Sequence, residues 1–245
     1  MALGLLTLPA ACGVKGDLQP KGKPDPQPAT NLEIRQQADT VLLNWDIPTK
    51  NQDDTELTDL AGFRIGVYSY QPESFCAECR DQEVLATIEV DNPYPARVFG
   101  RTYYLRSAAI STERGFRYRV VPFTESGKLA PPADIRLTIW QAPAAPVNVK
   151  VEQLDRGAKL FWALSGDIQQ SGELVGVNIY RGLAKEALDP EPINPAPVKG
   201  NNYDDFSLTN GITYQYGIRS VVSIDGSIVE SALSTIVTAT PQAGL

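Results

Sequence analysis

The 245-residue sequence contains no histidine. Histidine is the commonest metal ligand in proteins and the usual general base near neutral pH. Its absence excludes Ser-His-Asp and Cys-His catalytic sites, and it excludes zinc or haem sites that use a histidine ligand. Catalysis by paired carboxylates or by lysine stays open on this ground. We expect no catalytic residues, no cofactor and no metal site, and therefore no enzyme activity.

Basic residues are also in deficit, with 22 Lys and Arg against 29 Asp and Glu and a net charge of −7. Proteins that bind nucleic acids generally neutralise phosphates with Lys and Arg, so we expect no nucleic-acid partner. Apolar residues make up 42% of the chain, which is ordinary for a globular protein. The length suits two domains of about 100 residues each.

Residues 1–11, MALGLLTLPAA, form an apolar segment that ends in small residues just before Cys12. A membrane span takes about 20 residues, so this segment has instead the length of a signal-peptide core. LPAAC resembles a bacterial lipobox, whose cysteine is lipidated and becomes the first residue. The resemblance implies a lipid anchor at Cys12, and Gly13 in place of Asp implies sorting to the outer membrane. The alternative is an apolar terminus with an incidental cysteine.

Residues 12–27 combine several prolines with Lys and Asp, which predicts an extended, semi-rigid tether. The first part of this segment, CGVKGDLQP, is similar to the start of small lipoproteins that associate with the lipopolysaccharide-assembly translocon. Those proteins begin CGxKGxL and then reach a proline. This resemblance implies an outer-membrane location and, as one alternative, a role in an assembly complex.

The chain contains an internal repeat: residues 31–45, NLEIRQQADTVLLNW, and residues 148–162, NVKVEQLDRGAKLFW, place their apolar residues alike. A spacing of two predicts strands with one buried face. Two such hairpins predict two β-sandwich domains, at residues 28–140 and 147–241. The linker at 141–146 contains two prolines, so we expect the domains to sit end to end with limited bending.

Further features occur once in each half: a Trp in the second strand, a G-x-x-Tyr sequence and a Pro at the domain entry. They are Trp45 and Trp162, Gly115 with Tyr118 and Gly211 with Tyr214, and Pro28 and Pro146. This doubled set resembles the fibronectin type III family, and it implies two all-β, immunoglobulin-like sandwiches. In such sandwiches the corner Tyr buries its ring and returns its hydroxyl to nearby backbone. We therefore expect Trp45, Tyr118, Trp162 and Tyr214 in the cores.

The halves differ between Gly62 and Gly115, where the first is longer than the second and contains Cys76 and Cys79. The only other cysteine is Cys12, so the ligands for a zinc site are lacking. The context is not that of a thioredoxin-like site, which needs the motif to open a helix. We expect a local Cys76–Cys79 disulfide formed in an oxidising compartment.

Six arginines cluster within a short stretch of this acidic chain: Arg97, Arg101, Arg106, Arg114, Arg117 and Arg119. Arg117 and Arg119 flank Tyr118, so strand geometry puts them on the face opposite the core. Arginine favours bidentate contacts with carboxylates and phosphates, which suggests a binding patch for an anionic polysaccharide or an acidic envelope protein. The alternative, which we favour, is cross-strand pairing with acidic loops.

Two loops have specific compositions. Residues 51–59 contain four carboxylates, which fits either a calcium site or, as we favour, a solvated acidic loop. Residues 189–197 are rich in proline, which lacks the N–H that a sheet needs. We expect this second segment to lie along a sheet edge and to block strand addition.

Together these patterns favour a lipid-anchored binding or scaffold protein of the cell envelope, located at the outer membrane and without catalytic activity. Two alternatives stay open: an accessory subunit of an outer-membrane assembly or secretion complex, and an accessory carbohydrate-binding module. The expected partners are the membrane, through the anchor, and an envelope protein or anionic polysaccharide. The sequence does not indicate the oligomeric state.

Overall fold

The computed structural model describes residues 22–76, 83–108, 112–166 and 172–244. Over these ranges the chain is almost entirely β, with 15 strands and one short 3-10 helix, Pro72–Ser74. No helix in the described ranges is long and apolar enough to cross a membrane. The signal-like segment 1–11, Cys12 and Cys79 lie outside the described residues.

The first domain is a sandwich of two antiparallel layers. Its strands are β1 (Thr30–Gln37), β2 (Thr40–Asp46), β3 (Leu60–Tyr70), β4 (Glu83–Glu89), β5 (Arg97–Phe99), β6 (Thr102–Ala108), β7 (Gly115–Thr124) and β8 (Ala133–Thr138). One layer has the order β1-β2-β6-β5 and the other β4-β3-β7-β8. This division of the strands is that of a fibronectin type III domain.

The second domain repeats the plan with fewer strands. They are β9 (Val147–Leu154), β10 (Gly157–Ala163), β11 (Glu173–Leu183), β12 (Asn202–Phe206), β13 (Tyr214–Ile224), β14 (Ser227–Glu230) and β15 (Val237–Ala239). One layer has the order β12-β10-β9, and in the other β13 lies between β11 and β14 and also pairs with β15. The expectation of two fibronectin type III-like sandwiches is confirmed.

The two repeated tryptophans lie at the centres of the two cores. Trp45 is fully buried, stacks on Tyr103 with ring centroids 5.6 Å apart, and meets Phe63 edge-on at 5.5 Å. Such aromatic pairs add about 0.5–1.5 kcal/mol beyond the area they bury. Trp162 is buried in the second core with Leu160. The period-two pattern of the repeat therefore identified the inward faces of both hairpins.

The two tyrosines of the G-x-x-Tyr sequences occupy different positions. Tyr214 begins β13, and its hydroxyl accepts a hydrogen bond from the backbone N–H of Thr209 at 3.2 Å, which is a tyrosine corner. Tyr118 lies inside β7, is fully buried, and donates its hydroxyl to Ser107 Oγ at 3.4 Å. The expected corner at Tyr118 is therefore wrong, although its ring is in the core.

Strand register explains the mismatch. Val67 lies five residues after Gly62 and pairs with Tyr118, whereas Arg181 lies five residues after Gly176 and pairs with Tyr216. Tyr118 thus corresponds to the buried Tyr216, and β13 begins only at Tyr214. The two Gly-x-x-Tyr sequences are not equivalent in the structure. The strand β7 begins at Gly115 itself, whereas β13 begins at the tyrosine, Tyr214.

The last part of the predicted tether is docked on the first domain. Gln27 N donates to Lys50 O at 3.0 Å, and Gln52 N donates to Asp25 O at 2.9 Å. Lys23 Nζ lies 2.9 Å from the Asp59 carboxylate, so the acidic loop at 51–59 holds this segment in place. The tether expected over 12–27 is therefore wrong for residues 22–27.

The described residues contain no group of three or more potential ligands that could hold a metal ion.

The proline-rich segment of the second domain covers the free edge of β11, as predicted. Val177 N and Val198 O lie 3.0 Å apart, the reciprocal bond is 2.9 Å, and Ile193 N reaches Ile179 O at 2.8 Å. Gly176 makes this approach possible, because a Cβ at that position would lie 2.7 Å from Val198 O. The edge that β4 covers in the first domain is thus covered here by an irregular segment.

The contrast between the two tyrosines gives a testable prediction. Tyr214→Phe removes a hydrogen bond to a backbone N–H, so we expect it to lower the free energy of unfolding by about 1 kcal/mol. Tyr118→Phe removes only a long bond to a hydroxyl, and we expect a smaller loss. Urea denaturation of both variants measures the difference. Equal losses, or a larger loss at Tyr118, would contradict the assignment of the corner.

Candidate binding cleft between the domains

The two domains pack side by side and share one sheet. Strand β14 of the second domain runs parallel to the end of β1, with Gln36 opposite Val229 and Gln37 opposite Glu230. This pairing produces an eight-stranded sheet that crosses the domain boundary. The backbone N–H of Ala38 extends it by donating to Glu230 O at 2.8 Å. The expected end-to-end arrangement is therefore wrong.

The side chain of Gln36 holds the chain just before the linker through two hydrogen bonds to backbone atoms. Gln36 Nε2 donates to Trp140 O at 2.7 Å, and Gln36 Oε1 accepts from Trp140 N at 3.0 Å. Trp140, together with Ala142 and Ala144, also packs against Val222 and Val229 of the second domain. The linker at 141–146 therefore lies against the second domain and does not act as a spacer.

A buried carboxylate lies at the centre of the shared sheet. Glu230 is 1% exposed, and its two oxygens accept bonds from Gln37 Nε2 at 2.7 Å, Asn178 Nδ2 at 2.5 Å and the Tyr180 hydroxyl at 2.8 Å. Gln37 in turn accepts a bond from Arg106 at 2.6 Å. A buried charge is tolerated only when such partners satisfy it. Residues from β1, β6, β11 and β14 are thus linked by one network.

A second contact lies further along the same face. Arg35 Nη2 lies 2.7 Å from the Glu191 carboxylate and 3.3 Å from Pro190 O, which joins β1 to the proline-rich segment. Burial, followed by the charge of Glu191 and a hydrogen bond to it, raises the pKa of Tyr104 to about 12. Leu42, on the outward face of β2 between Arg35 and Arg106, is buried. The second domain therefore packs over the outer face of the first domain's β1-β2-β6 layer.

Beside this contact a cleft of about 300 Å³ opens between the domains. Arg97 and Arg106 line it from the first domain and Arg219 from the second. Tyr180 and the apolar residues Leu188, Leu233 and Ile236 complete much of the remaining wall, and Glu186 and Asp189 also line it. Burial, followed by the nearby charge of Arg219, lowers the pKa of Arg106, although Tyr180 and Glu230 act in the opposite direction.

The six arginines of the predicted patch do not form one surface. Arg97 and Arg106 belong to the β1-β2-β6-β5 layer and face the cleft, while Arg101 donates to Ile47 O in a turn. The other three lie at or within β7 in the opposite layer. A single patch is therefore excluded, because the two layers of a sandwich face opposite directions.

The three arginines in or next to β7 have structural partners. Arg119 makes a bidentate pair with Asp134 at 2.6 Å for both bonds, and this is the cross-strand pairing that the sequence favoured. Arg114 donates to Ser69. Arg117 lies on the face opposite the core, as predicted, but it is only 3% exposed and lies over the Tyr68 ring at 5.4 Å. An aromatic neighbour from β3 covers it on the outer face of the sheet.

Two other predicted sites are not tested by the structure. Cys12 and Cys79 lie outside the described residues, so lipidation and the Cys76–Cys79 disulfide stay predictions. Sequence reasoning missed Glu230, Tyr180 and Arg219, which are far from the arginine stretch in the chain. For the linker contact one signal was present: Gln36, which bonds Trp140, falls on the inward face of β1 after Leu32 and Ile34, and a buried amide needs a partner.

No protein-family model and no curated protein matches this chain. Among solved structures, a myokine structure is 23% identical over 41% of this chain and 100% of its own length, with a TM-score of 0.33. The FN1–FN3 domains of chicken CNTN1 are 11% identical, cover 89% of this chain and 66% of their own, and have a TM-score of 0.34. Similarity at this level concerns the fold alone.

The buried carboxylate gives a prediction about stability. Glu230→Ala leaves the donors of Gln37, Asn178 and Tyr180 unsatisfied, so we expect a loss on the order of 3 kcal/mol in the free energy of unfolding. Glu173→Ala, which removes an exposed carboxylate from β11, serves as the control and should change little. Chemical denaturation measures both. A Glu230 variant as stable as the control would show that the network does not hold the domains together.

The two tyrosines of the interface give a prediction about pH. Tyrosines in the unfolded chain ionise near pH 10, but burial and neighbouring carboxylates raise the pKa of Tyr104 to about 12 and that of Tyr180 further. Both contributions to stability are complete below pH 10 and decline above it, and that of Tyr104 is lost as the pH rises towards 12. Melting temperatures should fall over this range, and less steeply in Tyr104→Phe. Tyr94→Phe, at an exposed position, should melt with the wild-type profile.

Proposed function

We propose that this protein is a non-catalytic binding or scaffold protein of the cell envelope, which presents two fibronectin type III-like domains as one unit. The observation that carries the proposal is the sheet shared between β1 and β14, which holds the domains side by side and forms a cleft between them. Sandwich domains of this kind commonly supply binding surfaces, although the fold does not determine the ligand.

A unit with fixed geometry is suited to recognition. Surfaces that are already in place lose less conformational entropy on binding than surfaces that must first be ordered. Here the Glu230 network and the Arg35–Glu191 pair fix the two walls of the cleft relative to each other. The linker is also held, through Gln36 and Trp140.

The N-terminal sequence supports attachment to the outer membrane through lipid on Cys12. Residues 22–27 are docked on the first domain, so residues 12–21 would connect the lipid to the folded unit. At ~3.1 Å per residue an extended segment of that length reaches on the order of 30 Å. This distance keeps the unit near the membrane surface. A Cys76–Cys79 disulfide belongs to the same proposal, since it requires an oxidising compartment.

Substitution of the lipidation residue tests the proposed location. In a Gram-negative host the wild-type chain should incorporate an alkyne-labelled fatty acid and sediment with the outer membrane, since multiple acyl chains anchor stably. Cys12→Ala should lose the label and become soluble in the periplasm. The double variant Cys76→Ala, Cys79→Ala serves as the control and should keep both label and location. Labelling that persists in Cys12→Ala, or wild-type protein in the soluble fraction, would refute the anchor.

A further inference from the structure

The interdomain cleft brings together three arginines from two domains. Arg97, Arg106 and Arg219 form no ion pair with a carboxylate in the described part of the chain. Each gives a hydrogen bond to a neutral oxygen, at Leu188 O, Gln37 Oε1 and Ser231 O respectively. A guanidinium carries five N–H donors, so most donors of all three groups stay available.

Three like charges converge here in a protein whose net charge is −7. Glu186 and Asp189 line the same cleft, and Glu230 lies near Arg106 and Arg219. These carboxylates offset part of the repulsion among the three guanidinium groups, and a negatively charged ligand would offset the rest. The structure keeps them together because two different domains supply them: β5 and β6 carry Arg97 and Arg106, and β13 carries Arg219. The cluster therefore exists only when the domains are docked.

The rest of the lining restricts the class of ligand. Leu188, Leu233 and Ile236 provide apolar surface, and Ile236 is 41% exposed. Sugar rings commonly stack on an exposed aromatic face, which favours a peptide here because Tyr180 is 2% exposed and Arg219 covers its ring at 5.7 Å. Arginine forks beside aliphatic side chains are complementary to carboxylates that alternate with aliphatic groups.

We propose that the interdomain cleft binds an acidic peptide segment of a partner protein, with Arg97, Arg106 and Arg219 holding its carboxylates and Leu188, Leu233 and Ile236 contacting its aliphatic side chains. The cleft volume, about 300 Å³, accommodates a few side chains and not a folded surface. The site deepens the proposed binding function but does not depend on the lipid anchor, so the Cys12→Ala result and peptide binding test separate statements.

Fluorescence anisotropy of the full chain with a labelled peptide of alternating Glu and Leu tests the site. The wild-type chain should bind it, more weakly as salt rises, and should not bind the same peptide with Gln in place of Glu. The double variant Arg97→Gln, Arg106→Gln should raise the Kd by about tenfold, because two charge-assisted contacts are lost. Arg101→Gln with Arg114→Gln removes the same charge outside the cleft and should leave the Kd within about twofold of wild type.

A second variant is expected to shift the Kd in the opposite direction. Glu186 lines the cleft, so Glu186→Gln removes a negative charge near the ligand and should lower the Kd. If Arg106→Gln lowers the melting temperature, the test uses Arg97→Gln alone and Glu186→Gln. The first variant should raise the Kd and the second should lower it. Absence of binding by the wild-type chain, equal losses in the cleft and control variants, or binding of polygalacturonate in preference to the peptide would overturn the proposal.

Discussion

The burial of one carboxylate between two domains constrains the rest of this molecule. Glu230 has two oxygens out of water, and it is stabilised only because Gln37, Asn178 and Tyr180 point at it from both sides of the boundary. Asn178 and Tyr180 belong to the second domain together with Glu230, whereas Gln37 reaches the carboxylate only when β14 runs beside β1. The parallel pairing and the Gln37–Glu230 hydrogen bond therefore support each other, and together they join two small sandwiches into one unit.

The docking of the two domains changes which of their surfaces are exposed to solvent. In an isolated sandwich the outer face of the β1-β2-β6 layer would meet solvent, and Arg35 and Leu42 would be exposed on it. Docking of the second domain covers that face and leaves a cleft at its margin, lined by arginines from both domains. The cleft that brings these arginines together is thus a product of the interface and not of either domain.

The sequence patterns differed in how well they predicted the structure. The period-two alternation identified the hairpins, because burial on one face of a strand requires it. The G-x-x-Tyr sequence identified a corner at Tyr214 but not at Tyr118, because a one-dimensional match does not fix the register between strands. The arginine stretch also misled, since Arg106 and Arg119 are close in the chain but lie on opposite layers.

The sequence by itself determined the all-β class, the two domains, the two buried tryptophans and the covered edge of β11. All four depend on local composition and short-range periodicity, which a single chain displays directly. Tertiary structure alone decided the side-by-side docking, the docked segment at 22–27 and the cleft. Each of these depends on pairs such as Gln37 with Glu230 or Arg97 with Leu188 O, which lie tens to hundreds of residues apart. No local pattern records such pairs, because their free energy comes from a partner that only the folded chain brings near.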